Sequence, residues 1–87
     1  MRIKEGYILY ESSGNNVVFH KGRSGRTRGV LQLNSSGVIL WKMLEAGASA
    51  VTLAETMRDR FGISPEQATS DVKSFLSSLI SAGVVEN

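Results

Sequence analysis

The chain has 87 residues, 41% of them hydrophobic and 21% charged, with a net charge of +2 and no cysteine. That size predicts one domain, residues 1–87, with a small core held by packing alone, since neither disulfides nor thiolate metal sites can form. The apolar fraction excludes a disordered chain. No apolar run reaches membrane-spanning length and Met1–Gly6 lacks the long apolar segment of a secretory signal, so no membrane partner and a cytoplasmic location are expected.

Residues 6–33 read as β structure. Tyr7–Glu11 is rich in strand formers and runs into the turn cluster Ser12-Ser13-Gly14-Asn15, and Asn16–His20 follows as a second strand. The segment from Gly22 to Gly29 reads as a long hairpin loop. Val30–Leu33 is the third strand, with Leu31 and Leu33 on one face and Val30 and Gln32 on the other. Two successive hairpins make a meander in the order 1-2-3, which leaves strands 1 and 3 as edges.

Residues 35–83 read as three helices. A polar cap at Asn34-Ser35 precedes Gly37, Leu40, Trp41 and Leu44, which recur at helical spacing and predict a first helix over Ser35–Glu45. The second has its stripe at Ala50, Leu53, Ala54, Met57 and Phe61. That spacing favours Ser49 as its cap over the competing box that starts at Thr52, and Gly62 ends it. The third starts at Ser64-Pro65, where Gln67 can reach back to complete a capping box, and it stops at Gly83. Ala68, Val72, Phe75, Leu76 and Leu79 form its inward stripe, and Ser70, Ser74, Ser77 and Ser81 a polar, nearly uncharged outer face. Val84-Val85 is expected to fold back and seal the helical layer. The fold class is therefore α+β and winged-helix-like: a three-stranded antiparallel N-terminal sheet followed by three helices.

Catalytic chemistry finds no support. His20 is the one histidine and has no converging ligands, so it reads as a strand residue with a solvated or hydrogen-bonded ring. No carboxylate pair lies in an apolar setting; Glu55 and Glu66 serve first turns of helices through the dipole. Trp41 belongs to the core stripe. The loop glycines match no phosphate-binding motif and open no helix. Lys21, Arg23, Arg26 and Arg28 fall within eight residues with no acid among them, and make this loop an electrostatic accessory that attracts an acidic peptide, an acidic enzyme surface or nucleic acid. No enzyme activity, cofactor or metal is expected.

A winged-helix arrangement serves two classes of function. A DNA-binding or transcription-regulating module needs basic and amide side chains on the third helix, which offers Lys73 as its only cation beside Glu66 and Asp71. Peptide capture is the other class. From Gly6 to Val85 the chain resembles the PqqD-like family, whose members are also called RiPP recognition elements. The resemblance rests on the order and spacing of Val30-Leu31-Gln32-Leu33-Asn34, then Leu40-Trp41 and Leu44 ahead of Gly47. Leu53-Ala54, Phe61-Gly62, Asp71-Val72, Phe75-Leu76, Leu79 and Ala82-Gly83 complete it.

The resemblance implies a domain without catalysis that binds the leader of a ribosomally made precursor peptide and delivers it to a modifying enzyme, often a radical S-adenosylmethionine protein. It also implies that the leader adds as a strand beside the third strand and lies against the third helix. An edge strand with unpaired N–H and C=O groups fits that mechanism. Strand-side candidates are Val30, Leu31, Gln32 and Leu33; on the helix they are Lys73, Phe75, Leu76, Leu79 and Ile80. Leu33, Leu76 and Leu79 read first as core, whereas Lys73 and Ile80 flank the stripe and are the better groove candidates. The basic loop from Lys21 to Arg28 is longer than the tight turn of many members. Monomer and strand-exchanged dimer both stay open.

Overall fold

The computed structural model describes residues 1–22 and 29–86. In chain order the elements are β1 (Arg2–Ile3), β2 (Tyr7–Ser12), β3 (Asn15–His20), β4 (Gly29–Leu33), α1 (Ser35–Glu45), α2 (Ala50–Phe61), α3 (Pro65–Ala82) and β5 (Val85–Glu86). Strands β2, β3 and β4 form the antiparallel meander, in the order β2-β3-β4, and β4 is the strand predicted as the third. The fold is α+β, and a winged-helix description suits it.

The chain adds a second sheet that the sequence reading did not include. Arg2 pairs with Glu86 and Ile3 with Val85, and the Lys4 N–H donates to the Val84 carbonyl at 2.8 Å. Val84 is fully buried beneath this clasp, so the return of the chain after Gly83 does seal the helical layer.

Side chains set the helix starts. Asn34 Oδ1 accepts from the Gly37 N–H at 2.8 Å, Ser49 Oγ from the Thr52 N–H at 3.2 Å, and Ser64 Oγ from the Gln67 N–H at 3.1 Å. The Gln67 side chain, however, does not close a capping box. Its amide N–H donates instead to Asp71 Oδ1 at 2.7 Å, one turn onward, a charge-assisted bond that engages the side chain with the next turn.

The core joins the sheet to all three helices through Val18, Leu40, Trp41, Leu44, Leu53 and Leu79. Trp41 is fully buried, as its stripe position predicts, and its indole N–H has no hydrogen-bond partner among the described residues. On α2 the expected stripe is buried only at Leu53 and Met57. Ala50 and Phe61 are exposed, because the two ends of this helix overhang the core.

Candidate functional site

The register of the meander shows which backbone groups of β4 are free. The Lys21 N–H donates to the Gly6 carbonyl at 2.9 Å, and these two residues continue the pairing that sets Tyr7 opposite His20. Hydrogen-bonded pairs alternate in an antiparallel ladder, so Val17 and Phe19 also bond toward β2, while Asn16 and Val18 turn toward β4. It follows that Leu33, opposite Asn16, and Leu31, opposite Val18, spend their backbone groups on β3. Gln32, opposite Val17, directs its N–H and C=O away from the sheet. The Asn16 side-chain amide donates to the Leu33 carbonyl at 3.2 Å, as expected for a carbonyl on the β3 side.

Regular pairing of β4 with β3 holds only from Leu31 onward. Pairing steps from Val18↔Leu31 to Phe19↔Gly29, which leaves Val30 without a partner in a bulge. An extra residue of this kind bends the strand and breaks the two-residue period.

Beside the free edge runs a groove of about 410 Å³ between β4 and α3. Leu31, Gln32 and Leu33 form its strand side. Two turns of α3 form the opposite wall through Asp71, Ser74, Phe75, Ser78 and Leu79. The first turn of α1 closes one end with Asn34, Gly37 and Leu40, and Met57 reaches in from α2. Gly37 packs tightly here: a Cβ would sit 3.2 Å from Asn34 Oδ1 and 3.3 Å from the Leu33 Cβ, so these neighbours would have to give by a few tenths of an ångström. The Ser78 hydroxyl donates back to the Ser74 carbonyl at 3.1 Å.

The structure thus brings Leu31, Gln32, Leu33, Phe75 and Leu79 to one groove and leaves three other candidates away from it. Leu76 is a core residue, 9% exposed, and Lys73 and Ile80 are exposed without lining the groove. The reason is rotational. At about 100° per residue the wall of Asp71, Ser74, Phe75 and Ser78 occupies one flank of the inward stripe, and Lys73 and Ile80 occupy the other. Sequence reasoning assigned Ser74 to the outer face and passed over Asp71 and Ser78. Their signal was the polar flank of α3, Asp71, Ser74 and Ser78, which recurs at helical spacing beside the inward stripe.

Other expected features lie apart from the groove. His20 Nδ1 accepts from the Gly22 N–H at 3.1 Å, and its ring stands edge-on to Tyr7 with centroids 4.8 Å apart. Lys21 is exposed; Arg23, Arg26 and Arg28, the rest of the basic loop, lie outside the described residues. Among the described residues no group of three His, Cys, Asp or Glu side chains could hold a metal ion. No described helix is long and apolar enough to cross a membrane.

An open, bulged sheet edge facing a helix across a groove, in a domain of winged-helix type, defines the class of this protein. Residues 8–85 match the family model described as coenzyme PQQ synthesis protein D (PqqD), and the chain belongs to that family. No curated protein matches it in sequence. Two similar solved structures share the fold. One, described as TbiB1 in complex with the TbiA(beta) leader peptide, has a TM-score of 0.79 and 18% identity, covering 100% of this chain and 96% of its own. The other, lasso peptide synthetase B1 complexed with the leader peptide, has a TM-score of 0.78 and 20% identity, covering 99% and 96%.

Proposed function

We propose that this protein captures the leader segment of a ribosomally synthesised precursor peptide and presents it to a modifying enzyme, without performing chemistry itself. The observation that carries the reading is Gln32, whose N–H and C=O face outward at the rim of the groove beside α3. A peptide laid there as a fourth strand gains main-chain hydrogen bonds that tolerate sequence change, while alternate side chains enter the groove and are selected. Leu31, Leu33, Phe75 and Leu79 supply its apolar lining, Gln32 the backbone station, and the bulge at Val30 marks where regular pairing stops. Family membership supports the reading, as do two similar structures that hold leader peptides.

The modifying enzyme is the second partner, and the radical S-adenosylmethionine type is the class that the family resemblance favours. Capture then takes place in the cytoplasm, where the precursor is made. The DNA-binding alternative gains nothing from α3, which carries one cation, Lys73, on the flank away from the groove.

The test is a titration of isotope-labelled protein with synthetic leaders from precursor genes neighbouring its own. Saturable shifts of the Gln32 amide and of amides on the groove wall of α3 are expected. Shifts confined to the exposed face around Lys73, or tight and steeply salt-dependent binding of duplex DNA instead, would overturn the proposal.

A further inference from the structure

We propose that Asp71 gives the groove a preference for peptides with a lysine or arginine two residues away from the apolar side chain that enters beside Phe75 and Leu79. This specificity rests on the capture reading above. Among the described residues that line the groove, Asp71 is the only ionisable one; the rest are apolar, hydroxyl, amide or glycine. The residue as a whole is half-buried, and its Oδ1 accepts from the Gln67 amide at 2.7 Å in an exposed hydrogen bond. The described ion pairs, Lys42 with Glu11 and Arg58 with Asp59, do not involve it. Lys73 is close in sequence but points from the far flank of α3. A carboxylate in a groove with no other ionisable lining residue, held by one neutral donor and lacking a described cation, complements a positive side chain.

The spacing follows from helix and strand geometry. Leu31 to Asn34 on the strand side and Asp71 to Leu79 on α3 line the same groove, and the proposal lays the added strand along both. Asp71 and Phe75 are four residues apart on α3, a rise of about 6 Å. Two residues of an extended peptide advance about 6.6 Å. Alternate side chains of an added strand therefore meet Asp71 and the apolar patch in consecutive steps. Ser74 and Ser78, being short, let the peptide backbone lie close to the helix between them.

The experiment pans a phage-displayed library of random dodecapeptides on the immobilised protein and on Asp71→Asn. Asparagine keeps the size of the residue and an acceptor for Gln67, and a matching thermal melt verifies that the variant folds. The expected result for the wild type is enrichment of Lys or Arg at a fixed two-residue offset from Leu, Ile, Phe or Tyr, with the basic preference lost on Asp71→Asn and the apolar one kept. One enriched peptide is then synthesised with its basic residue changed to Glu. Its affinity for the wild type should fall at least tenfold, a comparison that needs no variant protein.

Apolar enrichment alone, equal on both proteins, would overturn the role of Asp71 and leave capture standing. A basic preference that survives Asp71→Asn would also overturn it, as would selection of neutral hydroxyl donors at that offset. Failure of the folded wild type to enrich any peptide would overturn capture, and this inference with it.

Discussion

The two edges of the sheet have the same backbone chemistry and different surroundings. On β2 the alternation places the outward groups at Tyr7, Leu9 and Glu11; on β4 it places them at Gln32. Beside the β2 edge stands a charge pair, with the Glu11 carboxylate 3.1 Å from Lys42 Nζ. Beside the β4 edge stands a wall of serine, phenylalanine and leucine that carries one carboxylate, Asp71, with no described cation paired to it. Unpaired N–H groups make any edge adhesive, and charges are a common way to blunt one. A second element at side-chain distance turns adhesion into selection. The longer, straighter edge is therefore not the one we assign to the peptide.

Proline substitutions test that contrast most severely. Leu31→Pro removes a donor that faces Val18, and should cost about 1–3 kcal/mol for the unpaired ladder group alone. That lowers the melting temperature by at least about 4 °C, with Leu31→Ala as the control for lost packing. Gln32→Pro removes a donor that faces outward. It should leave the melt nearly unchanged and weaken binding of a cognate leader tenfold or more, about 1.4 kcal/mol. Glu11→Pro makes the matching change on the β2 edge and should alter leader affinity less than Gln32→Pro does. The reverse ranking, read by titration, would move the docking edge to β2.

Smaller effects sharpen the same contrast. Asn34→Ala deletes the α1 cap at the end of the groove and should cost about 1 kcal/mol in denaturant unfolding. Leader affinity should fall with it, because Asn34 and the first turn of α1 line that end. Lys42→Ala breaks the exposed pair beside β2. Its effect should be at most about 0.5 kcal/mol in the same measurement, with leader binding untouched.

The sequence revealed most where a local rule decides the outcome. The limits of α1, the choice of Ser49 over Thr52 and the burial of Trp41 all follow from capping chemistry and helical period within a few residues. What it left open depends on non-local placement. An apolar stripe on a helix has two flanks, and nothing within α3 says which of them faces β4; hence Lys73 and Ile80 were favoured over Asp71 and Ser78. The bulge at Val30 arises from pairing with β3 and leaves no mark in Val-Leu-Gln-Leu. Arg2–Ile3 and Val85–Glu86 are too short to show alternation.

That short clasp has a dynamic consequence. Arg2–Ile3 and Val85–Glu86 hold each other, and the Lys4 bond to Val84 lies against the same corner. Loss of either strand strips the other of its ladder, so the two should fray as one cooperative unit rather than as independent tails. Amide exchange at Lys4 and in the Val85–Glu86 strand should then share a single opening rate. Each opening should uncover Val84, which is fully buried beneath the clasp, and loosen the C-terminal end of α3 with it.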